Sequence, residues 1–140
     1  MDAQRTTFGW VLRLDRGEEI VETLQGFAAR ERVRAAAVTG IGAVGEAELG
    51  FFAPASGQYT RRTFTGDFEI GSLHGNLSEL EGRPFAHCHI VLGASDFTAW
   101  TGHLFRGVIS VTGEVQVIAD PGVLVRQSRP DLGFNPLAPR

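Results

Sequence analysis

The sequence predicts an α+β fold, a single compact domain in which a mostly antiparallel sheet carries one main helix. One stretch, after Asp15, repeats its apolar residues at helical spacing, whereas many short segments alternate or run apolar as strands do. The length of 140 residues suits one domain over residues 1–140. We place its core at about residues 8–118 and a C-terminal arm or tail in residues 119–140, where four of the six prolines lie.

One helix is predicted between an opening strand and the remaining strands. Asp15 followed by Glu18 resembles a capping box at its start. Its apolar face comprises Ile20, Val21, Leu24, Phe27 and Ala28. The predicted strands are 10–14, 35–39, 46–51, 59–64, 68–80, 85–92, 108–111 and 114–118. Strands 68–80 and 85–92 form a hairpin about a two-residue turn at Glu81-Gly82.

A glycine-rich motif follows the strand 35–39. Residues 40–45 match G-x-G-x-x-G, a dinucleotide-binding pattern that requires a helix whose N-terminal amides hold a pyrophosphate. The next residues alternate as a strand instead, and Glu46 and Glu48 place negative charge where the phosphate would lie. We therefore predict that the glycines form a tight turn between strands or let another backbone approach.

Composition limits the function classes. A net charge of -3 and a pI near 5.8 argue against a diffuse basic surface for nucleic acid, although a local patch around Arg61 and Arg62 stays open. One cysteine cannot form an internal disulfide. The chain shows neither an apolar run long enough for a bilayer nor a signal core. We expect a cytoplasmic protein without a membrane partner.

Histidines are clustered near the middle of the chain. Residues 87–103 hold three of the four histidines. His87 and His89 occupy alternate positions of a strand and share one face, whereas Cys88 points to the other face, where a small buried hydrophobe is expected. His103 is brought in by the next strand.

The hairpin turn extends this cluster. If Glu81-Gly82 is a two-residue turn, Asn76 lies opposite His87 and His74 lies opposite His89, all on one face. A register error of one residue would move His74 and Asn76 to the other face.

Converging neutral imidazoles indicate a divalent metal ion, with zinc first and nickel, cobalt or iron as substitutes. In this interpretation His87, His89 and His103 are ligands, and His74 or Asn76 is an extra ligand or supports the ligands. The alternative is that each histidine is a satisfied core or interface residue that donates to a carbonyl.

Several motifs in one order resemble the PPC domain, the plant and prokaryote conserved domain also called DUF296. The resemblance runs from about Phe8 to Ile118. It rests on residues 13–19 (RLDRGEE), 39–43 (TGIGA), 75–77 (GNL), 84–89 (PFAHCH) and 102–104 (GHL). It implies a compact α+β domain that assembles as a homotrimer, with the histidines near subunit boundaries, and it supports His87, His89 and His103 as family-like histidines.

In plants such domains accompany AT-hook segments, which bind DNA. An AT-hook needs an Arg-Gly-Arg-Pro core for the narrow minor groove. The nearest match, residues 81–84 (EGRP), has an acidic residue in place of the first arginine and lies in the predicted turn. The chain therefore resembles the stand-alone prokaryotic type without an AT-hook.

Three functions stay open. We expect first a non-enzymatic homotrimer that holds a divalent metal ion and senses a small ligand. The second is a DNA-binding or DNA-associated regulatory protein, which the net charge does not support. The third is a metal-dependent enzyme of unknown substrate, because three histidines leave a position for an activated water. Glu114 is then the candidate general base.

Overall fold

Long strands make up most of the chain in the computed structural model, which describes residues 1–139. The elements are β1 (Asp2–Thr6), β2 (Gly9–Asp15), α1 (Ile20–Glu31), β3 (Ala36–Ala53), β4 (Gln58–Leu80), β5 (Arg83–Gly93), β6 (Ala99–Ala119) and β7 (Val125–Arg126). The predicted α+β class, with one helix on a mostly antiparallel sheet, is confirmed. No helix within residues 1–139 combines the length and apolar character needed to cross a membrane.

The strands form one sheet in the order β1-β2-β6-β3-β4-β5, and β5 also pairs with the first part of β6. This last pairing closes β6, β3, β4 and β5 into a circuit. All these pairs are antiparallel, whereas β7 runs parallel to the end of β4. Helix α1 packs on β5 and β6 and buries Ile20, Leu24, Phe27 and Ala28 beneath it.

The start of the helix differs from the prediction. Glu18 does bond back to the amide of Asp15, at 2.7 Å, but this closes a turn before the helix. The N-cap is Glu19, whose carboxylate accepts from the amides of Val21 and Glu22 and also from Gly107 on β6. The Glu19 carboxylate thus caps the helix and also ties its start to β6.

The glycine motif is not a turn, so that part of the prediction is wrong. Residues 40–45 lie inside β3, where register shifts mark bulges. At Gly42, φ is 149°, and a Cβ there would lie 2.3 Å from the carbonyl oxygen of Thr112. The predicted close approach of another backbone is thus confirmed. Because β3 continues through the motif, the predicted strands 35–39 and 46–51 are one strand.

The other short strands also merge. Strands 59–64 and 68–80 are parts of β4, and strands 108–111 and 114–118 are parts of β6. The opening strand is β2, and β1 precedes it as its hairpin partner.

The hairpin between β4 and β5 has the predicted register. Leu80 pairs with Arg83, and Glu81 and Gly82 both have positive φ, 52° and 76°, as a type I′ turn requires. Asn76 therefore lies opposite His87, and His74 lies opposite His89.

The C-terminal residues include a short strand, β7, where an arm or irregular tail was predicted. Val125 and Arg126 pair with Glu79 and Leu80, and Arg126 is 6% exposed. The rest of the described tail folds back on this short strand through a bridge between Arg126 and Leu137. The segment after β6 thus packs on the protein's own sheet.

Close contact of β4 with β5 makes Gly75 a sensitive position. A Cβ there would lie 2.1 Å from the carbonyl oxygen of His87, so we expect Gly75→Ala to lower the free energy of unfolding by ~1–3 kcal/mol. Gly71→Ala is the control, because its nearest neighbours lie 3.9 Å away. Urea unfolding of both variants measures the difference. Equal stability of the two variants would contradict this packing.

Candidate metal centre and adjacent cavity

Three histidine side chains converge where β5 and β6 pair. His87 and His89 extend from the same face of β5, and His103 of β6 is the direct partner of His89. One ligand nitrogen from each lies within 4.8 Å of the other two. Cys88, between the two β5 histidines, faces the core and is fully buried, and burial raises the pKa of its thiol to about 12. Strand alternation thus separates the histidine face from the thiol face.

Two of these imidazoles are neutral at physiological pH. Burial lowers the pKa of His87 to about 4, with smaller contributions from the charges of Arg126 and His89. Burial also lowers the pKa of His103 to about 4, and the neighbouring histidines and arginines add to this effect. A neutral imidazole keeps a free lone pair on one nitrogen, which is the form that binds a metal ion.

His103 carries a buried polar atom without a partner. Its Nδ1 has no hydrogen-bond partner among the described residues, although it is shielded from solvent. Unpaired buried polar atoms are rare in proteins because each one loses its hydration. The donor set, three nitrogens with one unsatisfied, fits a divalent transition metal such as zinc.

A buried arginine lies beside the cluster. Arg126 of β7 donates from Nη2 to Asn76 Oδ1 at 2.8 Å and contacts Nδ1 of His87 at 3.1 Å. Its Nε donates to the hydroxyl of Ser78, and Nη1 donates to the carbonyl of Asn135. Sequence reasoning missed this residue, since a single arginine in a proline-containing tail has no periodicity or motif.

The arginine determines the protonation of His87. A guanidinium can only donate, so Nδ1 of His87 accepts and the imidazole proton lies on Nε2. A metal ion bound through Nε2 would require the proton on Nδ1, where it would oppose the Arg126 donor. Binding through Nδ1 would displace that donor. A cation at His87 and the present Arg126 contact therefore exclude each other.

A cavity of about 230 Å³ opens next to His87 and His103. Its lining is mostly aromatic, with two arginines, and comprises Tyr59, Arg61, Phe85, His87, His103, Phe105, Arg126, Gly133, Phe134 and Asn135. The rings of His103 and Phe105 are 4.6 Å apart, and those of Tyr59 and Phe105 are 5.1 Å apart. These aromatic positions also carried no signal in the sequence.

Asn76 and His74, whose predicted places depended on the hairpin register, differ in their positions relative to the site. Asn76 lies at the site and supports Arg126 through its side-chain oxygen. His74 has the predicted register but is exposed, and it is not among the described residues whose ligand atoms converge. The structure therefore brings together His87, His89, His103 and Asn76, and leaves His74 outside the cluster.

Glu114 does not reach the histidines, so its proposed role as general base is not supported. Glu114 lies on β6, where its strand partners are Arg13 of β2 and Ile41 of β3. The interval from position 103 to position 114, at ~3.3 Å per residue, is about 36 Å along the strand. The sequence suggested proximity because Glu114 lies in a late predicted strand that could neighbour the histidines.

Comparisons with known proteins agree with this fold. A "putative DNA binding protein" from Bacteroides thetaiotaomicron is 31% identical with a TM-score of 0.93, covering 98% of this chain and 96% of that chain. A plant- and prokaryote-conserved protein from Pyrococcus horikoshii is 26% identical, with a TM-score of 0.86 and coverages of 99% and 94%.

A third similar structure is that of an Archaeoglobus fulgidus protein described as metal-containing. It is 27% identical with a TM-score of 0.83, covering 92% of this chain and 91% of that chain. Among curated proteins, none matches. The family model of the Plants and Prokaryotes Conserved (PCC) domain, the domain that the histidine and glycine motifs resemble, matches residues 1–121. The chain therefore belongs to the PCC domain family.

Proposed function

We propose that this protein is a non-enzymatic homotrimer that holds a divalent metal ion, zinc by preference, on His87, His89 and His103. The single observation that carries the metal site is the convergence of three imidazoles, one with a buried unpartnered nitrogen. The Archaeoglobus fulgidus relative, described as metal-containing, supports the same conclusion.

The cavity beside the histidines supports a role in sensing a small ligand. When bound, the metal ion would supply a Lewis acid at the cavity wall. No carboxylate lines the cavity to act as a general base, and its two histidines would serve as ligands of the ion. The aromatic walls instead suit binding and exclusion of water. We therefore favour sensing over catalysis.

Metal binding can be measured directly. We expect about one zinc ion per chain after equilibration with zinc and removal of the excess. His103→Ala should weaken zinc affinity by more than about 100-fold, because loss of a residue that only hydrogen-bonds to a metal ligand already weakens affinity about 10–100-fold. Elemental analysis and competition with a chromogenic chelator give both quantities.

His74→Ala is the matched control, because His74 lies opposite His89 outside the cluster. It should bind zinc as the unaltered protein does. A zinc-free unaltered protein, or equal affinity for His103→Ala, would refute the metal site.

Assembly as a trimer is the second part of the proposal. The surface exposes large apolar side chains that a monomer would leave in water, among them Phe51 at 73%, Phe97 at 97% and Val111 at 70% exposure. We expect sedimentation equilibrium at micromolar concentration to give three times the chain mass of 15.1 kDa. A mass of one chain over that range would exclude the trimer.

A second candidate function is DNA binding, favoured by the name of the Bacteroides relative. Several arginines that could contact phosphates are paired with carboxylates, however. Arg30 pairs with Glu31, Arg34 with Glu79, and Arg61 with Glu48. Paired arginines have little charge left for phosphates.

We therefore expect no measurable binding to duplex DNA at about 50 mM salt. Fluorescence anisotropy with a labelled duplex measures it, and Arg62→Ser serves as the comparison because Arg62 forms no ion pair within the described chain. Tight binding that falls steeply by about 200 mM salt, and falls further in Arg62→Ser, would favour the DNA function instead.

A further inference from the structure

Arg126 is a buried positive charge with no described negative partner. Its side chain belongs to a residue that is 6% exposed, yet no carboxylate among residues 1–139 lies within ion-pair distance of it. Its contacts are neutral: an amide oxygen, a hydroxyl, a carbonyl and an imidazole. Hydrogen bonds to neutral groups orient the guanidinium without compensating its charge.

Burial of an uncompensated charge is costly, and proteins normally pair such a group. Desolvation by burial accordingly lowers the pKa of Arg126. A guanidinium stays protonated in proteins, so the charge remains. The uncompensated positive charge therefore attracts an anion to the site.

The guanidinium also retains a donor. Of its five N–H groups, four are used by Ser78, Asn135, Asn76 and His87. The fifth is on Nη1, and Arg126 lines the cavity beside the histidines. An anion in the cavity would gain a charge-assisted hydrogen bond there.

The cavity favours a carboxylate over a phosphate. Arg61, the other cation on its wall, already pairs with Glu48 at 3.2 Å and stacks over Phe105 at 3.6 Å. One uncompensated charge matches a singly charged carboxylate, whereas a dianionic phosphate would bury a surplus negative charge. The aromatic walls from Tyr59, Phe85 and Phe134 suit an apolar body.

We propose that this cavity binds a small carboxylic acid, with its carboxylate on Arg126 and its apolar or aromatic body between Tyr59, Phe85, Phe105 and Phe134. The proposal names the ligand class for the sensing role proposed above and rests on that role, but it does not depend on the metal ion. A cavity of about 230 Å³ is large enough for one ring, since a cavity of about 150 Å³ holds benzene in another protein.

Benzoate and benzamide form the test pair, because they have similar shape and differ in charge. We expect benzoate to bind to the metal-free protein about ten-fold or more tighter than benzamide, since a charge-assisted bond to Arg126 is lost in the amide. Titration followed by nuclear magnetic resonance gives both affinities, and benzoate should shift the Nε–H signal of Arg126. Equal affinity of the two compounds, or absence of benzoate binding, would overturn the proposal.

Arg126→Met tests the residue, and Arg129→Met is the control, since Arg129 lies in the same tail but pairs with Asp131. Arg126→Met should weaken benzoate binding about ten-fold or more and leave benzamide unchanged, whereas Arg129→Met should change neither. Unaltered benzoate binding by Arg126→Met would overturn the proposal. If Arg126→Met does not fold, the comparison of benzoate with benzamide in the unaltered protein still tests the proposal.

The metal-free and zinc-loaded proteins are measured side by side, so the two proposals fail separately. Benzoate selectivity without zinc binding would refute only the metal site. Zinc binding without benzoate selectivity would refute only the carboxylate site.

Discussion

The register of the β4–β5 hairpin is the constraint on which the site depends. The turn at Glu81-Gly82 adopts positive φ at both residues and pairs the strands so that Asn76 faces His87. A slip of one residue would turn the polar face of β4 into the core. The close approach at Gly75 holds the same register from within the sheet, because only glycine fits against β5 there. A change of register would therefore disrupt both the histidine face and the packing of the core.

Local physics made the hairpin and the helix predictable from sequence. Alternation placed His87 and His89 on one face, and turn chemistry supplied the register. Long-range features were not predictable in this way. The continuity of β3 through residues 40–45 depends on bulges that accept the approach of β6, and glycine patterns do not distinguish a bulge from a turn. Arg126 reaches the site only because a two-residue strand pairs with β4, and such a short pairing leaves no pattern in the sequence.

A cation bound by the histidines and the guanidinium of Arg126 would place two positive charges at the same site. Three imidazoles favour a cation, and that cation would displace the Arg126 donor from Nδ1 of His87, which it now contacts at 3.1 Å, while the guanidinium would stay nearby. Two positive charges in a partly desolvated place repel strongly. An anion between them would relieve that repulsion, so occupancy by a cation and by an anion should reinforce each other. This coupling is the physical basis on which such a site can respond to a ligand.

The family model ends at residue 121, whereas Arg126, Phe134 and Asn135 of the cavity wall lie after it. The sheet and the histidines thus lie within the residues that the family model matches, and one wall of the cavity lies after them. Substitutions in that wall leave most of the core untouched, because β7 pairs at only two positions. Substitutions in this C-terminal segment can therefore change the lining of the cavity without disturbing the sheet that carries the histidines, which makes the segment a separable selectivity element.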